Sequence, residues 1–185
     1  MILGIEKLHE LVKELQLVEN LCDREQNNPE GAGFDLRLAE VFELDAAGND
    51  YFLGVEERNT PDVKSIAVHD PSKSEVENSF TFAPGKYYLI KTMEKVNLPT
   101  TLSGVIFPRT TLFRSGLALF NGVVQPGYSG ELSFGITNLG KTNIRVAFGA
   151  RVVHVTFQEV LGEGSQYRGQ WQGGRVATEG KETQV

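Results

Sequence analysis

Residues 107–140, FPRTTLFRSGLALFNGVVQPGYSGELSFGITNLG, indicate the fold better than any other part of the chain. Two short apolar segments, 117–120 and 131–138, are separated by glycines and by the Pro126-Gly127 pair. Such segments are typical of short strands, because Gly and Pro supply the backbone angles that tight turns require. Similar segments follow at 143–147 and 151–158. The C-terminal half of the chain is therefore predicted to be a series of adjacent β-strands.

Upstream of this stretch, we predict further strands at 34–44, 79–82, 86–91 and 102–107. Apolar and polar residues alternate at 34–39, which is the period of a strand with one buried face. Many short strands turned by Gly and Pro predict an all-β protein, either a β-sandwich or a jelly-roll barrel. Residues 45–50 are predicted to form a turn, and the charged stretch 54–79 a long surface excursion.

The two ends of the chain differ in character. Residues 3–18 carry apolar side chains on one helical stripe, so we predict an amphipathic helix that packs on the domain edge or on a neighbouring subunit. Residues 162–185 are polar and rich in glycine, with Trp171 as the only large apolar anchor. Such a tail is disordered unless it closes over another part of the protein. We expect a single domain over 1–185, with an N-terminal helix and loop at 1–30.

The composition of the chain argues against some classes of binding partner. The 185 residues include 18 Lys and Arg against 24 Asp and Glu, a net charge of −6. General binding to nucleic acid depends on a basic surface, so we expect no nucleic-acid partner. No apolar run approaches the roughly 20 residues that cross a bilayer, so we expect no membrane partner, and the charged N-terminus is unlike a signal peptide. The single cysteine, Cys22, excludes an intrachain disulfide and favours a reducing, cytoplasmic location.

The stretch 107–140 also concentrates groups that suit a phosphate ester: Arg109, Thr110, Thr111 and Arg114. A guanidinium pairs with two phosphate oxygens and keeps its charge at any relevant pH. Hydroxyl groups and free backbone amides beside it complete an anion-binding site. Tyr128, which follows a Pro-Gly turn, offers an aromatic ring to a sugar or a base. We predict a nucleotide site; the alternatives are a surface strand with exposed arginines and a tyrosine packed within a hairpin.

Five segments of the chain occur in an informative order. Residues 31–37 read GAGFDLR, 108–112 read PRTTL, 122–130 read GVVQPGYSG, 149–154 read GARVVH and 167–170 read YRGQ. This series resembles the motifs of the superfamily of trimeric dUTP pyrophosphatases and dCTP deaminases, and is closest to its archaeal-type dUTPase-like members. Threonines replace the serines of the family's P-R-S-S-L motif. The segment YRGQ is more similar to the tail of the deaminase branch than to the glycine-rich tail of ordinary dUTPases.

The resemblance implies a distorted jelly-roll β-barrel that assembles as a homotrimer, with active sites between subunits. It implies deoxyuridine or deoxycytidine triphosphate as the substrate and Mg²⁺ bound through the triphosphate. In the family the counterpart of Tyr128 lies against the deoxyribose, and the tail closes after binding. The substrate contacts that the resemblance implies are Arg109, Thr110, Thr111, Arg114, Gly122, Val123, Val124, Tyr128, Tyr167, Arg168 and Gln170.

Two positions depart from the family's catalytic pattern. Active dUTPases have an aspartate in the third motif, where it accepts a proton from the attacking water, and this chain has Gln125. An amide orients water but is not basic near neutral pH, and losing a general base costs about 10²–10⁴ in rate. The deaminase branch has a catalytic glutamate where this chain has Gly135. Our catalytic candidates are Gln125, which would hold the water, and Asp35 or Glu131, which would act as the base.

Three functions are compatible with these residues. They are hydrolysis of dUTP or a related deoxynucleoside triphosphate to the monophosphate and pyrophosphate, deamination of dCTP, and deoxynucleotide binding without catalysis. The tail motif favours deamination, and Gly135 opposes it. Both Gln125 and Gly135 favour binding without catalysis. Asp35 also has a structural interpretation, a salt bridge that holds its strand.

Overall fold

A computed structural model of the chain describes residues 1–45, 51–162 and 164–183. The helices are α1 (Ile5–Leu15), α2 (Asp23–Asn27) and α3 (Thr110–Arg114). The strands are β1 (Val18–Glu19), β2 (Phe34–Asp45), β3 (Glu57–Arg58), β4 (Asp62–Val68), β5 (Ser79–Phe82), β6 (Tyr87–Asn97), β7 (Leu102–Pro108), β8 (Leu117–Phe120), β9 (Val123–Val124), β10 (Ser129–Asn138), β11 (Ile144–Ala147), β12 (Arg151–Glu159) and β13 (Glu182–Thr183). Among the described residues, no helix combines the length and the apolar character that crossing a bilayer needs.

A curled sheet forms the barrel, with its strands in the order β8, β10, β6, β2, β12, β7 and β9. The long strand β2 belongs to both halves of this sheet, because its first residues pair with β12 and its later residues with β6 and β4. It is therefore the corner about which the sheet turns to enclose a core. Phe34, Phe82 and Phe157 are fully buried in that core. The predicted all-β jelly-roll fold with an N-terminal amphipathic helix is confirmed.

Most of the predicted elements are observed close to their expected bounds. The strands predicted at 79–82 and 117–120 have those bounds, and those at 102–107, 143–147 and 151–158 differ at one end by one residue. Helix α1 is shorter than predicted, because Gln16 takes a left-handed conformation that ends it. The turn predicted at 45–50 lies, beyond its first residue, outside the described residues.

The stretch 54–79 is more regular than predicted. Strand β4 adds to the sheet beside the second half of β2, and β3 pairs with β13 in the C-terminal tail. The side chains of β3 and β4 are exposed or only half-buried. An edge strand without a buried face gives little periodic signal in the sequence. The predicted surface excursion therefore contains a strand, Asp62–Val68, that the sequence analysis did not predict.

A buried ion pair joins β2 to an irregular part of β6. The register of β6 shifts against both β10 and β2 around residues 92–94. Glu94 is fully buried there and accepts hydrogen bonds from Nε of Arg37 at 2.6 Å and from the backbone nitrogen of Arg37 at 2.7 Å. Burial raises the pKa of the Glu94 carboxyl, and the Arg37 hydrogen bonds oppose that shift. The pair thus connects the two strands where their ladder is interrupted.

Replacing Glu94 by glutamine is expected to remove a pH dependence of stability. Because the pKa of Glu94 is raised above its ordinary 4.5, the folded state keeps a proton that the unfolded chain loses first. The resulting stabilisation is complete below pH 4.5 and is lost as the pH rises through the folded-state pKa. The free energy of unfolding of both proteins can be measured with urea at several pH values in this window. As the pH rises, the value for the wild type should fall relative to that of the Glu94→Gln variant by about 1.4 kcal/mol per pH unit. A difference that stays constant with pH would contradict this assignment.

Candidate functional site

A cavity of about 340 Å³ lies beside the hairpin that joins β9 to β10. It is lined by residues 122–125 at the end of β9 and by residues 132–135 of β10. Tyr128 of the hairpin and two aromatic residues of the tail, Tyr167 and Trp171, complete the lining. The walls are mainly apolar, with a few polar groups, which is the character of sites for small organic ligands. We call this space the first cavity.

Tyr128 is fixed in the wall of the first cavity. Its backbone nitrogen donates to the carbonyl of Gln125 at 3.1 Å, which closes a tight turn. Its hydroxyl donates to the carbonyl of Glu131 at 2.6 Å, and its ring meets that of Tyr167 edge-on, with centroids 5.5 Å apart. Burial raises the pKa of the Tyr128 hydroxyl to about 12. The ring is therefore a neutral and immobilised surface at physiological pH.

The C-terminal tail is ordered on its own chain and covers the first cavity. The backbone nitrogen of Tyr167 donates to the carbonyl of Pro126 at 2.8 Å. Further along, Thr178 and Thr60 exchange hydrogen bonds of 3.1 Å, and β13 pairs with β3. Thr178 is buried in this contact. The tail therefore meets the condition for order that its sequence implies, because it closes over another part of the protein.

Gly130 lets the tail approach the hairpin. Its φ of +149° is a backbone conformation that side chains rarely allow, and a β-carbon there would overlap the backbone nitrogen of Gly174. The neighbouring Gly173 donates its backbone N–H to the carbonyl of Ser129 at 2.8 Å. We expect Gly130→Ala to push the tail away, so that trypsin cleaves after Arg175 about ten-fold faster than in the wild type.

Gly149→Ala is the matched control for this prediction. Gly149 also has a positive φ, +85°, but a β-carbon there meets open space. Both substitutions strain the backbone, and only Gly130→Ala displaces the tail. Equal rates of tryptic cleavage in the two variants would show that the tail does not depend on close contact at Gly130.

The structure brings several predicted site residues together. The first cavity is lined by Gly122, Val123, Val124, Gln125, Tyr128 and Tyr167. A second cavity, of about 380 Å³, shares Gln125, Tyr167 and Trp171 with the first. Arg168 and Gln170 line this second cavity. The third motif and the tail motif thus meet within one chain.

The phosphate motif lies apart from both cavities. Arg109 precedes α3, and the three other predicted phosphate contacts, Thr110, Thr111 and Arg114, are exposed on that helix. None of the four lines either cavity in the described part of the chain. One copy of the chain therefore holds the two halves of the predicted nucleotide site in separate places.

Asp35 is the centre of a buried ionic cluster. Its carboxylate forms ion pairs with Arg109 and with Arg151, the latter at 2.8 Å. Its other oxygen contacts Nδ1 of His154 at 2.9 Å. The side chain of Asp35 is only 5% exposed. Asp35 of β2 thus forms a salt bridge with Arg151 of the adjacent strand β12 and a second one with Arg109, which agrees with its structural interpretation as a salt bridge that holds its strand.

Glu25 is a second carboxylate in this cluster, which the sequence analysis did not single out. It is 1% exposed, accepts the backbone N–H of Asp35 at 3.0 Å and pairs with Arg24 at 2.5 Å. Burial, together with repulsion from Arg151 and Arg24, lowers the pKa of Arg109. The two carboxylates hold three like charges in one place, so the removal of either carboxylate leaves repulsion uncompensated.

Asp35 and Gln125 are far apart in a single chain. Asp35 stands opposite His154 of β12, and β7 lies between β12 and β9. Three strand spacings, about 14 Å, therefore separate Asp35 from the β9 end of the sheet, where Gln125 follows. If these two residues act on one water molecule, they must come from two copies of the chain.

No carboxylate among the described residues lines either cavity. The carboxylate of Glu131 lies against Gly174 of the tail. Gly135 does line the first cavity, and a β-carbon there would overlap the hydroxyl of Tyr87. The phenol of Tyr87 thus occupies the space that a longer side chain at position 135 would need. Burial raises the pKa of Tyr87, so this phenol is neutral at physiological pH.

Sequence reasoning missed several lining residues. They are Leu89, Ser133, Trp171 and Arg175 in the first cavity, and Arg58 in the second. They come from β6, β10, the tail and β3, which meet only through long-range pairing. Of these residues, only Trp171 stands out in the sequence, because it is the large apolar residue of a polar tail.

Comparison with known proteins identifies the family. The profile of the dCTP deaminase-like family matches residues 2–160, so the chain belongs to this family. The chain is 29% identical over 182 residues to a dUMP-forming dCTP deaminase of Persephonella marina, covering 96% of this chain and 95% of that relative. It is 28% identical over 157 residues to a probable deoxyuridine 5'-triphosphate nucleotidohydrolase of Methanopyrus kandleri, covering 85% of this chain and 90% of that relative. Both names belong to nucleotide metabolism, and they differ in activity.

The fold has a counterpart among solved structures. The crystal structure of 2'-deoxycytidine 5'-triphosphate deaminase from Agrobacterium tumefaciens superposes with a TM-score of 0.61 at 18% identity. The superposition covers 84% of this chain and 48% of that protein, so the chain spans about half its length. At this identity the likeness concerns the fold alone. The predicted resemblance to the dUTPase and dCTP deaminase superfamily is confirmed.

Proposed function

We propose that the protein binds a pyrimidine deoxynucleoside triphosphate and hydrolyses it, as a dUTP diphosphatase-like enzyme, to the monophosphate and pyrophosphate. The observation that carries this proposal is the first cavity, where the third motif and the tail motif meet around Tyr128. Residues 122–124 line this cavity, so their backbone is the proposed contact for the edge of a base. The immobilised ring of Tyr128 is placed to pack against a deoxyribose and to exclude a 2'-hydroxyl by bulk.

The proposed site is completed by a second copy of the chain. Arg109, Thr110, Thr111 and Arg114 would hold the phosphates of a nucleotide whose base lies in the first cavity of a neighbour. The separation of these residues from the cavity within one chain supports this arrangement. A homotrimer, as in the family, is the assembly that we propose, and a mass near three times 20.4 kDa is expected in solution.

Magnesium is proposed to arrive with the substrate. Among the described residues, no group of three or more His, Cys, Asp or Glu side chains is arranged to hold a metal ion. A magnesium ion that is bound by the triphosphate would neutralise charge on the phosphates. In that setting the amide of Gln125 orients a water molecule, and Asp35 or Glu131 from a neighbouring copy is the candidate base.

Binding without catalysis is the second candidate, and one observation favours it. No carboxylate among the described residues lines either cavity, so a water held by Gln125 would have no carboxylate base from these walls. Deamination of dCTP has less support, because Tyr87 fills the space beside Gly135. A cytoplasmic location, and the lack of nucleic-acid and membrane partners, stay predictions of the sequence.

Product analysis separates these functions. Purified protein is incubated with dUTP or dCTP and magnesium, and the products are resolved by chromatography. We expect dUMP and pyrophosphate from dUTP. Release of ammonia from dCTP would replace this proposal with a deaminase. Nucleotide binding without any turnover would replace it with the non-catalytic function, and failure to bind any deoxynucleotide would overturn all three.

A further inference from the structure

The second cavity is a cationic cleft that adjoins the first. It is lined by Arg58 of β3 and by residues 165–171 of the tail, and Gln125 connects it to the first cavity. Arg58 and Arg168 both carry a full positive charge at neutral pH. The described lining residues include no acidic side chain. The cleft therefore places two cationic side chains beside the apolar first cavity, and the described walls of the cleft hold no acidic side chain to neutralise them.

Arg58 is held in this cleft by long-range contacts. Its strand, β3, pairs with β13, where Arg58 stands opposite Glu182. Two residues further on, the hydrogen bonds between Thr60 and Thr178 fix the same segment against the tail. Glu182 is occupied by Arg175, with an ion pair of 2.5 Å. Within the described chain, Arg58 itself has no ion pair with a carboxylate.

Three buried polar atoms in the described residues that line the two cavities lack a partner. Among the described residues, the buried side-chain atoms without a hydrogen-bond partner are Nε of Arg58, Oγ of Ser133 and Oε1 of Gln170. All three residues line one of the two cavities. Buried polar atoms are nearly always satisfied in folded proteins, so such atoms in one place require an explanation. Each of these atoms has under 1 Å² of accessible surface, so the side chains would have to turn before a ligand in the cavities could bind them.

We propose that this cleft is a phosphate subsite within a single chain, in which Arg58 and Arg168 bind the polyphosphate of a nucleotide whose base lies in the first cavity. The nucleotide part of this inference rests on the proposed function. The phosphate subsite itself rests on the two arginines, which line a cleft whose described walls hold no acidic side chain. Arg109 would reach the same triphosphate from a neighbouring copy of the chain. Arg58 would add a contact from the stretch 54–79 of the copy that holds the base.

Titration with inorganic tripolyphosphate, dUTP and deoxyuridine, without divalent metal, tests the subsite. Arg58→Gln is expected to weaken the binding of tripolyphosphate and of dUTP about ten-fold or more, because it removes charge-assisted hydrogen bonds. The binding of deoxyuridine, which has no phosphate, should not change. Arg58→Lys keeps the charge without the forked geometry and should give an intermediate loss.

Lys64→Gln is the matched control, since Lys64 is exposed on β4 and its loss changes the net charge equally. An equal loss of affinity in Lys64→Gln and Arg58→Gln would overturn the subsite, because bulk charge would then be the cause. Unchanged dUTP binding in a folded Arg58→Gln protein would overturn the subsite and leave the proposed function standing. Arg58-dependent binding of tripolyphosphate without any nucleotide binding would support the subsite and refute the proposed function.

Discussion

Replacing Asp35 by alanine is expected to lower the free energy of unfolding by about 3–5 kcal/mol. The reason is the cluster that surrounds this carboxylate. Asp35 pairs with Arg109 and Arg151, and Arg24 lies 3.8 Å away. Without Asp35, these half-buried guanidiniums face one another, with Glu25 and the exposed Glu30 as the carboxylates that remain near them. The midpoint of urea unfolding measures the loss, provided that the slope of the transition is unchanged.

Asp35→Asn separates a structural role from a catalytic one. The amide keeps the shape of the side chain and can accept from one arginine, so we expect a smaller loss of stability than in Asp35→Ala. If Asp35 acts as the base, Asp35→Asn should also lose hydrolysis at temperatures where the protein stays folded. Wild-type stability in both variants would contradict the ionic cluster as a source of stability.

Replacing Gln125 by aspartate is expected to raise the rate of triphosphate hydrolysis at least ten-fold, and up to about 10²–10⁴ if a general base is the missing element. Gln125 is exposed at the junction of the two cavities, where a carboxylate would reach the water that attacks the phosphate. The glutamine amide has no basic site near neutral pH, whereas an ionised aspartate accepts a proton. Steady-state release of pyrophosphate from dUTP measures the gain.

Gln125→Asn is the control for this gain, because it has the length of aspartate without its charge. It should show no increase in rate. In Gln125→Asp the rate should fall as the pH drops through the pKa of the new carboxyl, since only the ionised form is a base. Equal rates in the wild type and in Gln125→Asp would show that position 125 does not face the attacked phosphorus.

The sequence predicted the barrel strands well because their signal is local. The alternation at 34–39 and the glycine turns around Gly122, Gly130 and Gly140 belong to strands with one buried face. Strand β4 was missed because its side chains are exposed or half-buried. Helix α3 was also missed, since five residues are too few for a helical period to appear.

The candidate site was only half predictable for a related reason. Residues 122–128 are consecutive in the sequence, so their meeting in the first cavity follows from one hairpin. The positions of Arg58, Tyr87 and Glu25 depend on contacts between distant segments, which no local pattern encodes. The separation of Arg109 from the cavity likewise depends on the order of strands in the sheet.

The segment that closes the first cavity lies beyond the residues that the family profile matches. The family profile ends at residue 160, whereas the cover over the cavity consists of residues 164–183. Its attachment relies on β3, two threonines, backbone hydrogen bonds to the hairpin and the packing of Tyr167 against Tyr128 of the core. If the proposed function holds, mutations in this cover are expected to change which ligand the first cavity encloses while the barrel strands stay in place.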